Sequence, residues 1–135
     1  MQEVINQKIK FRESFRPFCP SVLEEDAHLY FEGKQIVSPY MTITYDVKKE
    51  MQFKITSVTH VDGTARKQTV NKKQNEIFYG ILLELKRLTG HGVVMNTSFN
   101  LSHEPIVCTP RDAIATFFAS GLDALFIGNY FVRKR

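Results

Sequence analysis

An apolar run that ends abruptly in hydrogen-bonding side chains is the feature that most constrains the fold of this chain. Val93-Val94-Met95 is typical of a buried strand, and Ser98-Phe99-Asn100 follows it almost directly. Uncharged amide and hydroxyl groups at such a position can contact a phosphate or a carbonyl without adding charge. Glu104-Pro105 then closes the loop. We therefore predict a buried strand over residues 92–96 with a binding site at its C-terminal end.

Three cations near the N-terminus could complete such a site. Lys10 and Arg12 form a Lys-x-Arg pair, and Arg16 follows four residues later. Together with Ser98 and Asn100 they would suit the phosphates of a nucleotide. Each short motif also has a structural explanation, because the cations could be solvated surface charges, with Arg16 paired to a neighbouring acid. The Ser and Asn side chains could simply satisfy backbone groups of a loop.

A second group of polar residues surrounds a turn in the middle of the chain. His60, Asp62 and Arg66 lie on either side of Gly63, and the Asp-Gly dipeptide tolerates the positive φ of a tight turn. One turn can therefore gather a base, an acid and a cation. A hairpin alone would also account for the dipeptide, with Arg66 as an ordinary outward-facing strand residue.

Composition places the chain among ordinary globular domains. Its 135 residues suffice for one domain, and 43% apolar with 24% charged residues excludes disordered and fibrous classes. The net charge of +4 is mild, and the basic residues are spread along the chain. Such a charge permits nucleic-acid binding but favours a small anionic ligand.

Metal, secretory and membrane signals are absent from the sequence. Cys19 and Cys108 lack metal-binding spacing, and His91 and His103 are isolated, so we predict no metal held by this chain alone. We expect both thiols to be buried and reduced. The N-terminus has no basic segment followed by an apolar one, and no apolar run is long enough for a membrane span. The prediction is a cytoplasmic protein without a membrane partner.

Alternating helix and strand patterns predict an α/β or α+β domain built on one twisted mixed sheet. In the longest predicted helix, Ile77, Ile81, Leu85 and Leu88 recur at helical spacing and should face the core. Without linkers or repeats, a single domain over residues 1–135 is expected. The helices are predicted over residues 4–14, 23–31, 75–89 and 109–120; the strands over 40–47, 92–96, 123–127 and 130–132, with an extended segment 15–22 and a hairpin of 55–61 with 65–70.

Five segments in one order resemble a known family. They are Ile9-Lys10-Phe11-Arg12-Glu13-Ser14-Phe15-Arg16-Pro17-Phe18, Pro20-Ser21-Val22-Leu23, Thr59-His60-Val61-Asp62-Gly63-Thr64-Ala65-Arg66, Asn96-Thr97-Ser98-Phe99-Asn100 and Gly121-Leu122-Asp123. Together they resemble the C-terminal domain of the carbamoyltransferases that modify antibiotics and nodulation factors. That domain is related to the YrdC-like fold, whose nucleotide site carries a Lys-x-Arg and Ser-x-Asn signature. The resemblance implies a YrdC-like twisted mixed sheet with packed helices.

The resemblance also implies a reaction, in which carbamoyl phosphate is activated with ATP to give carbamoyl adenylate and pyrophosphate. Lys10, Arg12 and Arg66 would be the catalytic cations that neutralise the phosphates. Mg²⁺ would come with the nucleotide, coordinated by phosphate oxygens and water. The residues implied to bind substrate or nucleotide are Arg16, His60, Asp62, Ser98 and Asn100.

The sequence departs from the family in two ways, and two alternative functions remain open. The N-terminal domain that transfers the carbamoyl group to a hydroxyl has no counterpart here, so we expect an excised or truncated C-terminal domain. His103 stands where the family has glycine before Glu-Pro. The alternatives are a non-catalytic RNA-binding module and a structural domain that completes a larger carbamoyltransferase. Steep salt dependence would mark RNA binding, and failure to bind nucleotide would favour the structural role.

Overall fold

The computed structural model describes residues 1–34 and 37–134, and it divides the chain into two compact units. The central unit is the continuous segment Pro17–Thr97. The terminal unit is discontinuous, because it combines Met1–Arg16 with the described residues from Ser98 onward. The central unit contains two of the sheets and the terminal unit contains one hairpin.

The predicted mixture of helices and strands is confirmed, but the strands of the described residues form three small sheets instead of one. A mixed sheet has the strand order β4-β1-β5, and two antiparallel pairs are formed by β2 with β3 and by β6 with β7. In chain order the elements are α1 (Gln2–Ile5) with a π-helical turn (Asn6–Lys10), β1 (Cys19–Leu23), a 3₁₀ turn (Glu24–Asp26), α2 (Ala27–Tyr30), β2 (Tyr45–Asp46), α3 (Lys49–Gln52), a 3₁₀ turn (Thr56–Val58), β3 (Thr64–Ala65), β4 (Gln68–Val70), α4 (Glu76–Thr89), β5 (Val93–Asn96), α5 (Pro110–Ala119), β6 (Ala124–Ile127) and β7 (Tyr130–Arg133).

Helix α4 packs on the mixed sheet and ends where the sequence predicts. The Asn75 side chain caps its N-terminus by accepting from the Phe78 amide, and Gly90 ends it with φ +80°. Leu82 is completely buried against the β1 and β4 side chains Leu23 and Val70. Burying these branched side chains holds the helix on the sheet, at about 1.5–3 kcal/mol each.

The prediction of which side of α4 faces the core is wrong. Ile77, Ile81 and Leu88 are 79%, 55% and 67% exposed. The sheet instead contacts the adjoining side of the helix, where Leu82 is flanked by the partly buried Phe78. Hydrophobic spacing alone could not distinguish the two sides, since both are apolar.

The predicted hairpin is also wrong, although its turn is present. The turn glycine, Gly63, has φ +82°. Residues 56–58 form a 3₁₀ turn, β3 pairs with β2, and β4 pairs in parallel with β1. The chain thus moves from one sheet to another between Ala65 and Gln68, and the predicted strand over residues 40–47 shortens to Tyr45–Asp46.

Lys67, at this crossing between sheets, is buried with only 1% of its surface exposed. Its ammonium lies 3.6 Å from the centre of the Tyr45 ring and 4.8 Å from that of Phe31. No carboxylate of the described residues lies within 4.0 Å of it. Burial lowers the pKa of Lys67 to about 8.

In the terminal unit, the first helix is shorter than the predicted span of residues 4–14. It ends at Lys10 because Phe11 adopts the left-handed conformation, with φ +50°. Helix α5 begins as predicted, with Thr109 and Asp112 forming a reciprocal capping box. Cys108 beside it is exposed, contrary to the expectation of a buried thiol, whereas Cys19 is buried. Among the described residues, no helix is both long and apolar enough to cross a membrane.

Gly121 ties the end of α5 to the first helix, and we expect its replacement by alanine to be costly. Its amide donates to the Lys8 carbonyl over 3.1 Å, and an added Cβ would lie 2.7 Å from that oxygen. Because backbone atoms must shift, Gly121→Ala should lower the free energy of unfolding by about 1–3 kcal/mol. Gly80→Ala is the control in thermal melts: the exposed Gly80 has no atom within 4 Å of an added Cβ, and this change should stabilise α4 by about 0.5–1 kcal/mol.

Candidate functional site

The Lys10 ammonium joins the two ends of the chain within the terminal unit. It donates to Asn100 Oδ1 at 2.7 Å, to the Asn100 carbonyl at 3.0 Å and to Ser98 Oγ at 3.2 Å, and it also contacts the Ser98 carbonyl. The Ser98 hydroxyl in turn donates to Asn100 Oδ1 at 2.6 Å. The Lys-x-Arg and Ser-x-Asn motifs are therefore in direct contact through Lys10.

All the donors of Lys10 are engaged by this cluster. An ammonium has three N–H groups, and four oxygens surround it here. Lys10 is only 4% exposed, and burial together with the nearby Arg12 charge lowers its pKa to about 8. A phosphate could reach this ammonium only by exchanging with one of its present partners. In this conformation Lys10 holds the loop that carries Ser98 and Asn100.

The same loop is held by two further contacts. Asn100 Nδ2 donates to the Glu104 carbonyl at 2.8 Å, and the Val107 amide donates to the Phe99 carbonyl at 3.0 Å. His103, at the position where the resemblance implies a glycine, has φ +64° in the left-handed region. Histidine is one of the few non-glycine residues found there with some frequency, so the turn forms with histidine at this position.

Asn6 is a site residue that sequence reasoning missed. It is completely buried, accepts from Arg12 Nε at 2.8 Å and donates to the Ser14 and Arg16 carbonyls at 3.0 and 2.9 Å. These bonds fix the segment that follows the first helix. Only the structure shows that Asn6 is buried together with Lys10, which lies four residues later on the same side of the helix.

Like charges accumulate on this segment. Burial and the Arg16 charge lower the pKa of Arg12, and the Arg12 charge lowers that of Lys10. Glu13 opposes the effect only in part, with its carboxylate 3.8 Å from Arg16 Nε. Mutual repulsion among three cations is relieved by a bound anion, and the segment is therefore suited to one.

The turn of the central unit accounts for two more predicted residues. Asp62 Oδ1 accepts from the Thr64 amide at 2.9 Å and from the Thr64 hydroxyl at 2.7 Å, and these bonds lower the Asp62 pKa. His60 Nδ1 lies 3.0 Å from the same hydroxyl oxygen. Because the hydroxyl has only one proton, which points to Asp62, the imidazole must carry a proton on Nδ1. Both side chains close the turn, and their nucleotide-binding role stays a prediction.

Arg66 lies at the edge of a polar group on the mixed sheet. It is exposed, and its Nε donates to Cys19 Sγ at 3.3 Å, which leaves further guanidinium donors facing solvent. Gln68 Oε1 accepts from Ser21 Oγ at 2.7 Å and from Asn96 Nδ2 at 2.8 Å. The pairing of Ser21 opposite Gln68 in the sheet brings these amides together. Sequence reasoning missed this group, because its members come from three separate strands.

The predicted site residues thus fall into two groups. Lys10, Ser98 and Asn100 form one hydrogen-bonded cluster in the terminal unit, which also contains Arg12 and Arg16. His60, Asp62 and Arg66 belong to the central unit. Across residues 1–34 and 37–134, no group of three His, Cys, Asp or Glu side chains is arranged to hold a metal ion.

Comparison with known proteins identifies the family. A family model described as "Carbamoyltransferase C-terminus" matches residues 1–134. The chain belongs to this carbamoyltransferase family. An uncharacterized protein of Methanocaldococcus jannaschii is 46% identical to the domain over 134 residues, which is 99% of this chain and 22% of that protein. Nodulation protein NolO of Bradyrhizobium diazoefficiens is 44% identical over 135 residues, covering 97% of this chain and 24% of the relative.

Nodulation protein U of Rhizobium tropici is more distant, with 38% identity over 101 residues, 75% of this chain and 17% of the relative. The carbamoyltransferase domain therefore spans about a sixth to a quarter of the length of the curated relatives that it matches. Most of each relative's polypeptide lies outside the matched region.

Proposed function

We propose that this chain is the carbamoyl-activating domain of a carbamoyltransferase. It would bind ATP and carbamoyl phosphate and form carbamoyl adenylate, which an N-terminal domain would use to carbamoylate a hydroxyl group. Forming the mixed anhydride releases pyrophosphate from ATP and inorganic phosphate from carbamoyl phosphate, with one water consumed. Family membership supports the transfer of a carbamoyl group, and the nucleotide chemistry is the proposed part.

The contact of Lys10 with Ser98 and Asn100 is the observation that carries the proposal. These residues are 88 and 90 positions apart in the sequence, yet hydrogen bonds of 2.7–3.2 Å join them. A purely structural loop would not need three crowded cations beside it, since their repulsion costs free energy. An anionic substrate offsets that repulsion.

The side chains present fit a nucleotide phosphate. Arg12 and Arg66 carry guanidinium groups that can bind phosphate oxygens in pairs, whereas the Lys10 ammonium is already surrounded by protein oxygens. We assign Lys10 to holding the Ser98–Asn100 loop and Arg12, in the same unit, to a phosphate. Arg66, in the central unit, is proposed separately as a phosphate contact. Mg²⁺ bound by the triphosphate would add charge neutralisation when present. Adenylyl transfer needs such fixed cations and donors more than it needs a protein nucleophile.

Titration calorimetry with ATP and Mg²⁺ tests the proposal. The isolated chain should bind ATP with a dissociation constant of roughly 0.1–1 mM, and Arg66→Ala should weaken binding about tenfold, equivalent to one lost charged contact. Arg111→Ala is the matched control, because Arg111 is also an exposed arginine but lies on α5 and is not one of the predicted site residues. No heat and no NMR shift at several millimolar ATP would refute nucleotide binding. Binding of duplex RNA that collapses with added salt would instead favour the RNA-binding alternative.

A further inference from the structure

The apolar surface of α4 extends around more of the helix than the mixed sheet covers. At 100° per residue, Ile77, Leu88, Ile81 and Leu85 occupy about 80° of the helix surface. They adjoin the sector of about 100° that packs on the sheet through Phe78, Leu82 and Tyr79. The apolar part of the α4 surface is thus nearly twice as wide as the apolar face of a helix that is buried on one side only. Such a helix is suited to lie between two partners.

The exposed sector, called the α4 stripe below, consists of Ile77, Ile81, Leu85 and Leu88. Three of these are more than half exposed, and Leu85 is partly buried. The charged residues at its border neutralise each other, since Arg87 Nη2 lies 2.6 Å from Glu84 Oε1. No net charge therefore interrupts the stripe, and a contiguous apolar patch of this kind marks an interaction surface.

We propose that the α4 stripe packs against the remainder of a full-length carbamoyltransferase, outside the quarter that this chain represents. The inference rests on the proposed function for the identity of the partner. The chain covers 22% of one relative and 24% of another, so in those proteins the matching domain has a polypeptide more than three times its size to pack against.

A second copy of this chain fits the stripe less well. The exposed parts of Ile77, Ile81 and Leu88 amount to roughly 400 Å², so a symmetric pair would bury about 800 Å², below the 1,200–2,000 Å² of stable interfaces. A larger partner can extend the contact beyond the helix. The geometry therefore favours a big domain over a symmetric dimer.

Hydroxyl-radical footprinting with mass spectrometry measures the burial of these side chains directly. The samples are the isolated chain and a chimera, in which this chain replaces the matching quarter of the Methanocaldococcus jannaschii relative. Oxidation of Ile81 and Leu88 should fall about threefold or more in the chimera, as largely exposed side chains become buried. Leu83 is the internal control, because it is 48% exposed on the far side of the same helix and its oxidation should stay constant.

Variants supply a second readout. Ile81→Glu with Leu88→Glu should leave the melting temperature of the isolated chain nearly unchanged and lower that of the chimera by about 5 °C or more, whereas Leu83→Glu should do neither. Unchanged oxidation of the stripe in a folded chimera would overturn the proposal, and so would a dimer of the isolated chain that the double substitution dissociates. If the chimera does not fold, footprinting of the helix that aligns with α4 in the intact relative decides. ATP titration of the isolated chain is independent of these results, and its failure would refute the nucleotide chemistry alone.

Discussion

Replacing Lys10 with methionine should lower the free energy of unfolding by about 2–4 kcal/mol. The wild-type ammonium has four oxygen partners, and charge-assisted hydrogen bonds contribute about 1.5–3 kcal/mol each. Burial lowers the pKa of Lys10 to about 8, so these bonds offset the cost of burying the charge only in part, and the loss expected in the variant comes from oxygens left without a donor, at about 1–3 kcal/mol each. Methionine fills the space but leaves the Ser98 and Asn100 oxygens without a donor.

Lys8→Met is the matched control for this measurement. The Lys8 side chain is exposed, and its structural contact, with the Gly121 amide, uses the backbone carbonyl that the substitution keeps. Hydrogen exchange should show faster opening of residues 98–104 in Lys10→Met and no change in Lys8→Met. Equal stability of the two variants would show that Lys10 does not hold the loop.

Replacing Lys67 with methionine should raise the free energy of unfolding, whereas replacing Lys10 should lower it. Its ammonium is as deeply buried as that of Lys10, but its partners are the rings of Tyr45 and Phe31 and no carboxylate of the described chain. A pKa lowered to about 8 corresponds to about 3 kcal/mol of desolvation, and cation–π contacts return about 1–2 kcal/mol. Lys67→Met should therefore raise the free energy of unfolding by about 1–2 kcal/mol at pH 7, while the exposed Lys54→Met should change it little.

The pH dependence of stability provides a separate check on Lys67. Below pH 8 the lysine is protonated in both the folded and the unfolded chain, and the folded state bears the full cost of burial. Between pH 8 and about 10.4 the unfolded chain retains the proton that the folded chain has lost, so stability rises with pH. Denaturant melts of Lys67→Met should show a smaller rise across this range. An identical pH profile in wild type and variant would contradict a buried, charged Lys67.

Local signals in the sequence predicted some elements well and others poorly. The ends of α4 at Asn75 and Gly90 were predicted, because capping depends on neighbouring backbone groups. The Thr109 capping box likewise marks the start of α5. The hairpin failed because strand pairing is a long-range choice: β4 gains more by lying beside the buried β1 than by pairing with residues 55–61. The buried side of α4 was misassigned for the same reason, since only the sheet decides which apolar sector it covers.

The candidate site was predicted in part. Lys10, Ser98 and Asn100 were singled out from their motifs, and the structure places them in contact. The sequence could not show that the Lys10 ammonium donates to Ser98 and Asn100 themselves. All its N–H groups are used in these bonds, so none is left for a phosphate. Asn6 went unrecognised because a single asparagine in a polar helix carries no distinctive pattern, although its buried bonds to Arg12 and Arg16 organise the cationic segment.

The discontinuous terminal unit has a consequence for the order of folding. Its first segment, Met1–Arg16, leaves the ribosome more than eighty residues before Ser98, and Lys10 finds its partners only 88 and 90 positions later. Pairing at such sequence separation is slow, because a long loop must close before any contact forms. The continuous central unit can fold while synthesis proceeds, whereas the Lys10 loop is completed only after residues 98–100 emerge. The contacts of Lys10 with Ser98 and Asn100 therefore form only after the whole central unit has been synthesised.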